Sequence, residues 1–321
     1  MPGKPQHSLA SGITTNFGYY PVRCDLETER FSILTLPDHE ETVSLIAEDE
    51  NVIDGWLYPG PQQRLNFVSG IVRSMPYSSR VFGLPKTHAL TLHRNKDQHD
   101  LDFIVWCLSL FTGMRLTTTE AGFLDATPVK PHKLVDFVLN RRILIEAVHL
   151  ALDFLEQERD APRAPKRIAA VIHALFLAQY PQSLPFERFQ YLYMALDGCF
   201  KLLEVKEKTN LRVPHARRIQ WMCEKFYIPI PKWAESKAGA SPLSIARNDA
   251  IHEALFFDEP LGFSIYGGNK PDGDLTNVTL QMKALVCRLL VAILGGADTT
   301  YVKSPVNTRM IQSLELSDRI T

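Results

Sequence analysis

The sequence predicts an α+β protein in two parts, an N-terminal β-rich module followed by a C-terminal α-helical bundle. Three observations point there. Residues up to about 132 alternate short β-branched and aromatic runs with turn formers. From residue 133 onward, apolar residues recur at three- and four-residue steps over six long segments, which is a helical period. Between the two patterns, Ala126 to His132 carries Pro128 and Pro131, and proline resists both helix interiors and central strands. The expected division is therefore 1–132, 133–300 and a C-terminal tail, 301–321.

In the first module the strands are placed at Phe31 to Leu36, Thr42 to Ala47, Val52 to Leu57, Arg80 to Leu84 and Ala89 to His93. Breakers separate them: Pro37-Asp38, Tyr58-Pro59-Gly60-Pro61 and Ser78-Ser79. One segment, Leu101 to Thr112, has the length and apolar density of a buried helix, with Gly113 where a C-terminal cap falls.

The second part predicts helices at 133–158, 164–179, 185–207, 214–226, 242–257 and 275–294. Leu134, Phe137, Val138, Leu144, Ile145 and Val148 set the stripe of the first. Phe186, Phe189, Leu192, Tyr193, Leu196 and Phe200 set that of the third. After Gly295-Gly296 the periodicity fades, and the tail either packs on the body or is loose.

Composition narrows the class. Hydrophobic residues at 45% and charged residues at 22% match a soluble globular protein. A net charge of -1 excludes a strongly basic nucleic-acid binder, so any RNA contact must rest on a local basic cleft. Cys24, Cys107, Cys199, Cys223 and Cys287 are scattered and form no Cys-x-x-Cys pair, so reduced, buried thiols are expected.

The apolar run Leu285 to Leu294 is short and interrupted by Arg288, and the first residues carry no signal-type apolar segment. A cytoplasmic protein with no membrane partner is the expectation.

Familiar catalytic strings are missing: there is no glycine-rich phosphate loop, no Gly-x-Ser-x-Gly and no His-Glu-x-x-His. His99-Asp100 resembles a metal dyad of helical phosphohydrolases but lacks partners at plausible positions. Asp38-His39-Glu40-Glu41 reads as a polar turn sooner than a metal site. No metal and no cofactor are expected.

One string carries chemistry: Arg247-Asn248-Asp249-Ala250-Ile251-His252. Guanidinium is a permanent cation suited to phosphate, and imidazole moves protons near neutral pH. The surrounding helix starts at Ser241-Pro242, where serine can cap free amides and proline is preorganised for the first position. Leu243, Ala246, Ala250, Ala254 and Phe257 form a small-residue stripe on one side; Ile245, Asn248, His252 and Phe256 share another.

Arginine and histidine with four to six intervening residues also occur at Arg94 to His99, Arg142 to His149 and Arg167 to His173. Isoleucine follows Arg142 and Arg167, and the Arg94 run is polar throughout. Only the Arg247 string joins a polar second residue to a helical frame with apolar flanks. Its two ends point about 140° apart on one helix, so convergence calls for a homodimer pressing the same helix face from each subunit together.

The string and its setting, over roughly residues 135–296, resemble the HEPN superfamily of helical domains, with the Arg-polar-x3-His motif falling on Arg247, Asn248 and His252. A long apolar helix after the motif, Leu275 to Leu294, fits as well. A β-rich leader before such a bundle looks like some bacterial abortive-infection proteins, which gives residues 1–132 a sensing or regulatory role.

The resemblance implies a metal-independent endoribonuclease in which a ribose 2′-hydroxyl attacks the neighbouring phosphate. His252 would act as general base or acid, Arg247 would hold the phosphate and its developing charge, and Asn248 would orient His252 or touch the phosphate. RNA, single-stranded or looped, is the implied substrate, because DNA lacks the attacking group. A conditional toxin or phage-defence effector is implied too, with a neutralising partner or a phage-derived trigger.

Alternatives stand beside this. Arg247 pairing with Asp249, Glu253 or another acid, and a hydrogen-bonded His252 at the interface, would make the chain a non-catalytic dimeric HEPN-like binding or scaffold protein. A third reading is a regulator whose bundle only transmits dimer geometry. Arg212, His215, Arg217 and Arg218, with Lys201, Lys206 and Lys208, either guide phosphates or form solvated helix faces. Asp197 either anchors Arg247 across the bundle or simply caps or faces water.

Overall fold

A computed structural model describes residues 12–78, 83–94, 97–119, 126–139, 143–207, 213–252, 278–308 and 311–316. The fold is α+β, with strands concentrated before residue 133 and helices after it. The chain divides into two compact units, Met1–Ser109 with Gly113–Lys133, and Leu110–Thr112 with Leu134–Thr321.

The first unit contains β1 (Ile13–Phe17), β2 (Leu26–Glu27), β3 (Phe31–Thr35), α1 (His39–Ala47), β4 (Val52–Ile53), β5 (Trp56–Leu57), β6 (Pro61–Leu65), β7 (Val72–Ser78), β8 (His88–Leu92), α2 (Gln98–Thr112) up to Ser109, and β9 (Thr127–Pro128). An antiparallel sheet in the order β1-β8-β3-β2 forms its centre. Alternation makes that sheet: in β8, His88, Leu90 and Leu92 are buried while Ala89 and Thr91 are partly open. Helix α2 ends where Gly113 adopts φ 63°, a left-handed cap that glycine takes without a Cβ penalty.

Two strand expectations change. Thr42 to Ala47 belongs to helix α1, whose first turn holds Glu40 and Glu41; carboxylates there favour the positive end of the helix dipole. Val52 to Leu57 is a hairpin, because Asp54 (φ 52°) and Gly55 (φ 79°) take the left-handed pair that joins two strands tightly. Of Arg80 to Leu84, residues 80–82 lie outside the described residues, and Gly83 and Leu84 are not strand. The β6–β7 hairpin was not anticipated.

The second unit contains β10 (Phe137–Leu139), α3 (Leu144–Gln157), α4 (Arg163–Leu177), α5 (Pro185–Glu207), α6 (Arg218–Phe226), α7 (Pro242–His252), α8 (Val278–Val291) with a π-helical turn at Ala292–Gly296, and β11 (Gln312–Leu314). Short 3-10 turns lie at His215–Arg217 and Lys232–Ala234. Helices α4 and α5 approach closely at Gly198, where an added Cβ would meet Val171 Cγ2 at 2.5 Å.

The expected helix 133–158 begins only at Leu144. Val135, Phe137 and Leu139 are buried at two-residue steps while Val138 is exposed, which is a strand's period, and β10 pairs in parallel with β11. The tail packs on the body: Tyr301, Val302, Val306, Leu314 and Leu316 are buried.

Val278–Gly296 is long and apolar enough to cross a membrane by composition alone, longer than the sequence reading allowed, yet 72% of it is buried inside the protein. Every residue from Leu285 to Leu294 is buried, Arg288 included. That guanidinium is fully satisfied: Nη1 reaches Asp136 Oδ2 at 2.8 Å and the Ala284 carbonyl at 2.9 Å, while Nε and Nη2 reach Ser304 and the Pro305 carbonyl. Tyr301 donates to the other Asp136 oxygen at 2.5 Å.

Candidate functional site

Helix α7 carries the Arg247 string, and its start is fixed by reciprocal bonds. The Ser244 amide donates to Ser241 Oγ at 3.1 Å, and the Ser241 amide donates to Ser244 Oγ at 2.8 Å. Leu243 and Ala246 are buried, whereas Ile245 and Asn248 are exposed. The backbone helix reaches His252; its side chain and those of Asp249, Ala250 and Ile251, with residues 253–257, lie outside the described residues.

Arg247 is half-buried and donates through Nη1 to Asn248 Oδ1 at 3.0 Å. Its guanidinium carbon lies 5.9 Å from the centre of the Tyr193 ring. That contact ties α7 to a polar cluster on three other elements. Helix α5 presents Tyr193 and Asp197, one turn apart on one face; the 215–217 turn presents His215; α6 opens with Arg218.

Within the cluster, the Tyr193 and His215 rings stack at 21° with centroids 5.9 Å apart. The Tyr193 hydroxyl lies 3.2 Å from His215 Nδ1 and 3.1 Å from Nε2. Arg218 Nη1 donates to Asp197 Oδ1 at 3.0 Å and its guanidinium carbon lies 4.6 Å from the centre of the Phe200 ring. The same Asp197 oxygen is 4.0 Å from His215 Nε2. These side chains, with Leu196, border a small cavity.

Electrostatics follow from burial and from two cations. Burial pushes the Tyr193 phenol up to about 12, with Asp197 adding to the rise and Arg247 and Arg218 opposing it. The His215 imidazole is held below its ordinary value, first by burial and next by Arg218; Asp197 works the other way, and Arg247 lowers it further. His215 therefore stands neutral at pH 7 and can accept a proton, while Arg247 offers positive charge to an anion and Arg218 shares its own with Asp197.

Arg247 and Asn248 are brought together, and His215 and Arg218, read only as part of a basic run, join them through Tyr193. Asp197 takes Arg218 as its partner. Lys201 pairs with Glu204 and Lys206 with Glu158, so those two behave as a solvated, ion-paired face. Arg217 is exposed, and Lys208 and Arg212 lie outside the described residues. In the sequence Tyr193 belongs to the apolar stripe of α5; its spacing of four from Asp197 is the available sign of a mixed face. Among the described residues no group of three or more His, Cys, Asp or Glu side chains is placed to hold a metal ion.

Comparisons with protein families, with curated proteins and with solved structures find no match to this chain.

Proposed function

We propose that the chain is a metal-independent endoribonuclease of the HEPN type, acting as a homodimer in the cytoplasm. One observation carries the reading. Arg247, bonded to Asn248 on the helix that continues to His252, shares its surroundings with Arg218 and a neutral His215. Two permanent cations beside an imidazole suit a phosphodiester, whose oxygens gain negative charge as the bond breaks.

In this mechanism Arg247 holds the phosphate, and its bond to Asn248 limits the rotamers it must give up on binding. His252 serves as base for the 2′-hydroxyl or acid for the leaving oxygen, the second copy of the helix supplying the complementary group. Arg218, already paired with Asp197, widens the cationic border without adding an uncompensated charge. Activity of this sort harms the cell that makes it, so restraint by a neutralising partner or release by a phage-derived trigger belongs to the proposal.

The test uses purified protein, single-stranded RNA and a chelator. Wild type should cut RNA and leave DNA of the same sequence intact. Arg247→Ala and His252→Ala should each slow cutting by on the order of 100-fold. Equal behaviour of all three proteins would overturn the enzyme.

A second reading has its own support. Ile245, a large aliphatic residue, is 45% exposed on the side of α7 that carries Asn248. That suits a face used for assembly alone, in a non-catalytic dimeric scaffold. Light scattering on Ile245→Lys distinguishes the two when read with the RNA assay: a monomer formed from an inactive parent favours the scaffold.

A further inference from the structure

The β6–β7 hairpin of the first unit ends in a loop whose exposed side chains are apolar. Phe67 is 91% exposed and Val68 is 99% exposed, and Leu65, Ile71 and Val72 are about half exposed. Leu65 and Val72 pair where the strands end, and Phe67, Val68 and Ile71 lie in the loop beyond them, so the tip is apolar throughout its exposed large side chains. Surfaces of this kind mark interaction sites.

The two strands pair only with each other among the described residues. Arg64 stands directly opposite Arg73, one step behind the apolar tip. Like charges facing across a strand pair repel, and neither guanidinium is ion-paired to a described residue. The wider sequence has the same sign: from Gly55 to Lys96 there are six cations, Arg64, Arg73, Arg80, Lys86, Arg94 and Lys96, and no acidic residue. An anionic partner removes the repulsion.

The loop is also prepared for a water-poor setting. Asn66 Oδ1 accepts from the amides of Val68 (3.0 Å) and Ser69 (3.2 Å), and the Asn66 carbonyl accepts from Gly70 (2.8 Å). The Asn66 amide donates to the Ile71 carbonyl at 2.9 Å. Amides bonded inside the loop need no water when the tip leaves it. Gly70, at φ 65°, makes the closure possible.

We propose that this hairpin is a wedge for the surface of an anionic lipid membrane. The first apolar pair, Leu65 and Val72, lies one strand step of ~3.3 Å beyond the arginine pair, and the turn carries Phe67 and Val68 further out, toward the ~5–10 Å depth at which interfacial apolar groups rest below the headgroups. Phe67, Val68, Leu65, Ile71 and Val72 enter the acyl boundary while Arg64 and Arg73 stay among the phosphates. A protein groove or a sheet edge would cover one face, and RNA would stack on Phe67 but leave four aliphatic side chains in water. The expectation of no membrane partner rested on the lack of a span, which concerns crossing a bilayer and not resting on one.

The test is flotation of the full chain with vesicles of phosphatidylcholine alone and with phosphatidylglycerol added. Wild type should float with the anionic vesicles only, and less at high salt. Phe67→Ser with Val68→Ser should cut the bound fraction by about tenfold or more, and Arg64→Gln with Arg73→Gln should remove the preference for anionic lipid. Both pairs are surface changes, so thermal unfolding should stay as in wild type. A fluorophore on the thiol introduced by Val68→Cys should shift to the blue on anionic vesicles; the native cysteines are buried and spare the label. No flotation with either composition overturns the wedge. So does flotation that the Phe67 and Val68 changes leave intact, or capture of RNA or a soluble protein through the tip in the absence of vesicle binding.

Discussion

Tyr193 and His215 are locked together: their rings stack, and one phenolic hydroxyl lies within 3.2 Å of both imidazole nitrogens. Either tautomer of His215 thus finds a partner, and the ring is held in place while its proton is free to change position. This pair is the point at which α5, the 215–217 turn and the Arg247 helix share one environment.

The pH dependence follows with a definite sign. The folded His215 pKa lies below the ordinary 6.5, through burial first and Arg218 second. The contribution to stability is therefore intact above 6.5 and is lost as pH falls toward the folded value, because the unfolded chain takes up the proton first. NMR titration of the His215 ring should show Arg218→Gln moving its pKa up toward 6.5, and Asp197→Asn moving it further down. His215→Gln should flatten the part of the acid-side loss of thermal stability that belongs to this residue.

Asp136 should be a large single contribution to stability in the second unit. It balances the fully buried Arg288 and accepts from Tyr301, joining the entry to the bundle, its core helix and its tail. Asp136→Ala leaves a buried cation uncompensated and should cost about 3–5 kcal/mol in urea unfolding. Combining it with Arg288→Met should recover most of that loss.

The helices of the second unit were legible because their apolar faces are long. In α5, Phe189, Leu192, Leu196 and Phe200 are buried at the expected steps, and in α7 Ser241 caps the helix it was expected to start. Short elements were not legible. Phe137 and Val138 fit a helical stripe only if Val135 and Leu139 are ignored, and the pairing that decides the matter comes from Gln312–Leu314, far along the chain. For the site, the arginine and its neighbour could be read in one string. The Tyr193, Asp197, His215 and Arg218 cluster could not, since three separate elements bring it together.

Gly198 should be intolerant of a methyl group although alanine is the better helix former. An added Cβ would sit 2.5 Å from Val171 Cγ2 at the α4–α5 crossing. Overpacking of about 1–3 kcal/mol outweighs a propensity gain of roughly 1 kcal/mol. Gly198→Ala should lower the urea midpoint, and Val171→Ala in the same chain should restore part of it.

Ser241→Ala should cost about 1 kcal/mol by freeing the Ser244 amide. Since the cap sets where α7 begins, hydrogen exchange should rise at the first turn of α7, while α4 and α5 keep their protection.

Whether Arg247 and His252 act on a ribose-phosphate link is read from the chemical form of the RNA ends. With chelator present, fragments should end in 2′,3′-cyclic phosphate, with no cut at a position carrying a single 2′-deoxynucleotide. Fragments with 3′-hydroxyl ends, or cutting that passes through the 2′-deoxy position unchanged, would contradict it.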